Sequence, residues 1–175
     1  EVEMEEKLQN YTKHLENVVK QRTHALKESE ALYRSIFETS LAIIYIHQDN
    51  RFILMNTTGM TFFGYKSQEE MERADVWQTV PEGERQQRRK NALRGMAGEK
   101  IPQSYESLVI NKEGETRVVA CNFQHITYKN EPAILAILFD MTEKKYLEAE
   151  ISHAEKLKLM GYLATGVAHD FNNIL

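Results

Sequence analysis

The chain has 175 residues, 42% hydrophobic and 27% charged, with a formal net charge of −4; this suits one globular domain with polar helical attachments and excludes a general nucleic-acid binder, which needs a basic face. One cysteine, Cys121, excludes a disulfide framework and a CxxC metal or redox pair, and fits a reducing, cytoplasmic location. The longest apolar runs, LAIIYI and AILAILF, are far short of the ~18 residues of a membrane span; with no signal peptide and Glu rather than Met first, the chain reads as a piece of a longer protein whose upstream part is free to carry a membrane anchor.

Residues 1–37 predict a long helix with a heptad. Met4, Tyr11, Val18, Ala25 and Leu32 form one row, and Leu8, Leu15, Arg22, Ser29 and Ile36 the other. Alternating steps of four and three place both rows on one seam, the pattern of a parallel coiled-coil homodimer, weakened where Arg22 and Ser29 interrupt it. The competing reading is a single amphipathic helix lying on the next domain.

Residues 38–142 change period. LAIIYIHQDNRFILMN reads as two strands around the turn Gln48-Asp49-Asn50. TGMTFFGY follows as a short helix ended by Gly64, and Ser67 caps another, SQEEMER. Residues 82–96 form a third helix that stops near Gly98; then QSYESLVIN, TRVVACNFQHITY and PAILAILFD make a three-stranded meander with turns at KEGE and KNE. Two strands and three strands around a helical insert close into one five-stranded antiparallel sheet with helices on one face, an α+β fold. In order and spacing, the entry SEALYRSIFETS, then Asn56, Gly64 and Tyr65, then the exit triplet Asp140-Met141-Thr142 make the segment resemble a PAS domain. That resemblance implies the PAS fold and a sensory role, flanked here by the two helices.

Residues 143–175 predict a linker helix and the start of a second helical domain. Leu147, Ile151, Ala154, Leu157, Met160, Ala164, Val167, Phe171 and Ile174 form its apolar stripe. Successive steps of three from Ile151 to Met160 shorten the repeat, which overwinds a coiled coil locally. On that register His169 falls furthest from the seam, with Asp170 beside it and Asn173 one turn on. An ordinary polar helix face is the plain alternative. A metal site is not expected, because the nearest histidine, His153, is sixteen residues away and no cysteine is near.

The stretch AEKLKLMGYLATGVAHDFNNIL resembles the first helix of the dimerisation and phosphotransfer domain of sensor histidine kinases, whose H-box runs His-Asp/Glu-x-x-Asn/Thr. By that resemblance His169 is the phosphoacceptor, Asp170 the general base that orients its imidazole, and Asn173 a positioning group in dephosphorylation of the partner regulator. The family implies an ATP-dependent protein-histidine kinase that passes its phosphoryl group to an aspartate of a response regulator. ATP and magnesium belong to a catalytic domain that this sequence does not include, so the chain is expected to be inactive alone. A neutral imidazole near pH 7 offers the lone pair that in-line phosphoryl transfer needs.

The PAS resemblance implies a helical Asn-Cys pair for flavin binding and a helical histidine for haem binding; Cys121 lies on a strand and residues 82–96 contain no histidine, so neither cofactor is expected to be tightly bound. His47 and His125 read as satisfied or exposed strand residues, Trp77 and Val76 as packing residues, and Arg85, Arg88, Arg89, Lys90 and Arg94 as a solvated helix face. A small-molecule ligand in the PAS pocket and an empty pocket both stay open. The alternative function is a PAS module that acts only in dimerisation or protein interaction; a PAS domain attached to another output, such as a nucleotide cyclase, conflicts with the H-box.

Overall fold

The computed structural model describes the backbone of residues 2–174 and the side chains of Met4 and residues 7–162. Helix α1 (Val2–Thr39) leads into strands β1 (Ile43–Gln48) and β2 (Arg51–Met55). Three helices follow, α2 (Thr57–Phe63), α3 (Gln68–Arg73) and α4 (Glu82–Met96), with a 3-10 turn at Val76–Thr79 before the last. Strands β3 (Ser104–Ile110), β4 (Thr116–Tyr128) and β5 (Glu131–Asp140) complete the sheet, and α5 (Thr142–Ile174) leaves it. The sheet order is β2-β1-β5-β4-β3, every pair antiparallel. This is the expected five-stranded sheet; α1 runs beyond Phe37 to Thr39, and the 3-10 turn is an element the sequence pattern did not show.

Local chemistry sets the connections. Two-residue hairpin turns of type I′ need positive φ at both central residues, and Asp49 (49°) with Asn50 (67°) and Lys129 (50°) with Asn130 (67°) supply it. Gly64 closes α2 at φ 80°, where a side chain would be strained. Ser67 accepts from the Glu70 amide to cap α3.

Strand parity divides the sheet into two faces. Ile43, Tyr45 and His47 pair with Leu138, Ala136 and Ile134 and look toward the helices. There they meet Phe52, Phe63, Met71 and Val119 in the buried core. Ile44, Ile46, Leu135, Ile137 and Phe139 occupy the opposite face, where Phe139 is 54% exposed. Apolar residues on both faces explain why β5 reads as a continuous hydrophobic run rather than an alternation.

Both long helices are tied to the sheet by side chains. Asn56, fully buried, caps α2 by accepting from the Gly59 amide, and the same oxygen accepts from the Ile44 amide, each at 3.0 Å. Its amide nitrogen donates to Ala42 O (2.8 Å) and Phe37 O (3.1 Å). One side chain thereby joins the end of α1, the start of β1 and α2. At the other end, Asp140 accepts from the Thr142 amide (2.9 Å) and from Arg117 (3.3 Å). Thr142 Oγ1 accepts from the Val118 amide, and the Met141 amide donates to Val118 O. The first residues of α5 are thus held on β4.

Apolar side chains along the free lengths of both helices face solvent. Leu8, Tyr11, Leu15, Leu32 and Ile36 on α1 are 58–70% exposed, and Leu147, Ile151, Leu157 and Met160 on α5 are 48–61% exposed. Among the described residues, no helix is long and apolar enough to cross a membrane.

Candidate functional site: a cavity between sheet and helices

A cavity of about 80 Å³ lies between the inner sheet face and a roof made by the 3-10 turn, α4 and the loop Ile101-Pro102-Gln103. Its floor follows from strand register. His47 on β1 and His125 on β4 both pair with Ile134 of the intervening β5, so the two imidazoles flank that residue. In the next row Tyr45 and Phe123 flank Ala136, whose small side chain leaves the space open. Cys121 pairs with Leu138 and Tyr105, and all three line the cavity.

The polar groups in this space differ in how they are satisfied. Arg88 is 15% exposed and donates twice to Glu84 Oε2, at 2.6 and 3.0 Å. It donates also to Ser107 Oγ at 2.5 Å, and its guanidinium lies 5.4 Å from the Tyr105 ring centroid. Its charge is therefore neutralised inside the protein. Trp77 Nε1 donates to Asn50 Oδ1 at 2.6 Å. By contrast, His125 Nε2 is the one buried side-chain polar atom without a hydrogen-bond partner among the described residues. No side-chain hydrogen bond reaches the Tyr45 hydroxyl or the His47 ring among them either. Buried polar atoms are usually paired, and an orphan calls for an explanation.

Protonation follows burial. Desolvation, with His125 nearby, lowers the His47 pKa to about 4, so its ring is neutral near pH 7. Burial pushes the Cys121 thiol up to about 11 and raises the Tyr45 phenol well above its ordinary value. The thiol is accordingly unreactive at neutral pH. Chemically the cavity is a neutral, mostly apolar space with several unclaimed hydrogen-bonding atoms.

Helix α4 covers this space lightly. None of its residues is fully buried, and the side it turns to the cavity carries Arg88, Asn91 and Ala92. At Gly95 the helix lies so close to β4 that a Cβ there would overlap the His125 ring and Ile101. An element with few buried apolar contacts is one that opens at low free-energy cost.

The arginine cluster expected on one solvated face divides instead. Arg88 turns inward; Arg85 donates to Val80 O, Arg89 lies over Trp77 and pairs with Asp75, and Arg94 pairs with Glu99. Trp77 packs, as expected, and also lines the cavity. His47 and His125 were read as satisfied or exposed, yet both line the cavity without partners. The signal that finds them is strand parity: each is an even number of residues from an inward-facing aromatic, Tyr45 or Phe123.

His169, Asp170 and Asn173 lie on α5, whose backbone is helical through Ile174. Their side chains lie outside the described residues. Among the described residues, no cluster of three or more His, Cys, Asp or Glu forms a metal-holding group.

Residues 40–143 match the family model described as PAS domain. Over 155 residues the chain is 25% identical to Sporulation kinase A of Bacillus subtilis (strain 168), covering 86% of this chain and 25% of that protein. Over 45 residues it is 42% identical to Sensor kinase CckA of Brucella abortus (strain 2308), covering 26% of this chain and 5% of that one. The chain thus spans a quarter or less of these curated relatives. Among solved structures, a PAS domain from Desulfitobacterium hafniense superposes with a TM-score of 0.53 at 24% identity, over 61% of this chain and 98% of that one. A PAS domain of an HTR-like protein from Haloarcula marismortui gives 0.54 at 20% identity, over 69% and 98%.

Proposed function

The chain belongs to the PAS domain family, and from that premise we propose that it is the sensing and dimerising portion of a cytoplasmically acting two-component histidine kinase. In this reading the kinase autophosphorylates on His169 and passes the phosphoryl group to an aspartate of a response regulator. The observation that carries it is continuity. Helix α5 runs without a break from Thr142, which is bonded to the PAS sheet, through the stretch HDFNN at residues 169–173. The relatives named as kinases support the same assignment.

His169 supplies the nucleophilic ring nitrogen. Asp170 would accept a hydrogen bond from the other nitrogen in the reacting complex, fixing the tautomer and offsetting the imidazolium charge that develops. Phosphoryl transfer asks the protein mainly for in-line positioning and charge stabilisation. ATP and magnesium would be held by the catalytic domain of the complete kinase. Asn173 would position water or the aspartyl phosphate when the same helix acts as a phosphatase toward the regulator.

Dimerisation is the second part of the proposal. The exposed apolar rows on α1 and α5 favour burial against a second copy, as a parallel homodimer with both helices near the two-fold axis. Signal would enter through the cavity, tilt or shift the sheet, and leave through the Asp140–Thr142 anchor. The same exposed rows also favour the simpler module that only dimerises, so sensing needs its own test.

The decisive variant is His169→Gln in the complete kinase. It should abolish acid-labile incorporation of label from γ-phosphate ATP, while sedimentation still gives a dimer. Undiminished incorporation would remove His169 from the reaction, and a monomeric mass across micromolar concentrations would remove the dimer.

A further inference from the structure

Resting on the sensory reading above, we propose that the cavity takes a small uncharged molecule, of roughly three to five non-hydrogen atoms, whose single polar group is read by His47 and Tyr45. Size sets the first limit. The space is about 80 Å³, whereas an apolar cavity of ~150 Å³ accepts benzene.

Charge sets the second. Among the described residues no Asp, Glu or Lys lines the cavity, and the one cation there, Arg88, is already held by Glu84 and Ser107. An anion would enter without a free counterion and a cation without a carboxylate, and each would lose its hydration uncompensated. A neutral guest meets neither cost.

Hydrogen bonding sets the third. A neutral imidazole has one donor and one acceptor nitrogen. The His47 ring and the Tyr45 hydroxyl, both lining the cavity, therefore serve a hydroxyl, carbonyl or amide equally well, whereas His125 Nε2 is packed against α4 and closed to a guest. The rest of the wall, including Val109, Ile134 and Leu138, suits a short alkyl body. His125 is also the wall residue against which α4 lies flush at Gly95.

The test is an NMR titration of the 175-residue chain with isosteric probes at pH 7. Propionamide and isobutanol should shift the Ile134, Leu138 and Val109 methyls and the His47 ring nitrogens, with saturation. Propionate and isobutylammonium should bind at least tenfold more weakly. His47→Leu should weaken propionamide at least tenfold while leaving xenon, a purely apolar probe, bound. Should that variant fail to fold, Tyr45→Phe supplies the same comparison. Propionate binding as tightly as propionamide, or no probe shifting these resonances, would overturn the proposal. Autophosphorylation of the complete kinase separates the two readings. Neutral probes that bind without changing it uphold the ligand class and reject sensing; a charged probe that binds and changes it does the reverse.

Discussion

Replacing Asn56 tests how the entry helix is joined to the sheet. Its side chain makes four hydrogen bonds at 2.8–3.1 Å, two accepted and two donated, which exhausts its donors and leaves no lone pair idle. Asn56→Ala strands the Ile44 and Gly59 amides and the Phe37 and Ala42 carbonyls. At ~0.5–1.5 kcal/mol per lost neutral hydrogen bond, the sum is ~2–6 kcal/mol, with ~4 kcal/mol a working value. A domain of this size has only ~5–15 kcal/mol in total. With a urea slope of ~1–3 kcal/mol per molar, the midpoint should fall by ~2 M, followed by Trp77 fluorescence and circular dichroism together. Asn56→Asp retains the two accepted bonds but sets a carboxylate oxygen against two carbonyls, so it should be at least as damaging. A loss below ~1 kcal/mol in the alanine variant would show that water or backbone shifts replace these bonds, and that Asn56 is not the joint between α1 and the sheet.

His47 predicts a pH dependence. Its folded pKa is lowered to about 4 by burial, below the unfolded value of ~6.5, so the unfolded chain takes up the proton first and stability falls as pH drops from ~6.5 toward ~4. Between pH 7 and pH 5 the loss should be ~2 kcal/mol in urea titrations, and His47→Phe should remove most of that difference; an unchanged pH profile in the variant would assign the effect elsewhere. Asp170→Asn should slow autophosphorylation of the complete kinase by ~10²-fold while the dimer persists, the scale of a lost general base; equal rates would leave Asp170 as surface charge. Inserting one residue within 152–158 turns the downstream helix by about 100° and should fix kinase activity on or off, whereas a seven-residue insertion restores the register and should preserve regulation. Stimulus response surviving both insertions would reduce α5 to a tether.

The fold was legible because its signals are local. The β-branched and aromatic run IIYIHQ, the positive-φ turns at Asn50 and Asn130, the Ser67 cap and the stop at Gly64 each act within a few residues. The 3-10 turn at Val76–Thr79 was not legible, since it is held by tertiary bonds, the Val76 amide on Asn50 O and Trp77 Nε1 on Asn50 Oδ1. The cavity was half legible. Parity alone points His47 and His125 inward, but whether an inward histidine finds a partner depends on elements distant in sequence. The inward turn of Arg88 combines a local i,i+4 pair with Glu84 and a bond to Ser107, nineteen residues on, and only the first is visible in sequence. Asn56 stood out as a motif residue, while its four partners span residues 37 to 59 and appear only in three dimensions. The stretch that resembles an H-box is the reverse case: its reading rests on sequence, and its side chains lie outside the described residues.

The most direct measurement is phosphosite mapping on the complete kinase, incubated with ATP and magnesium and kept at neutral to alkaline pH through digestion and fragmentation mass spectrometry. The phosphate should sit on His169, in the peptide containing GVAHDFNNIL, and its occupancy should change when a cavity ligand is added. Phosphate on another residue such as His153, or none on this peptide, would break the link between this PAS domain and phosphotransfer at His169.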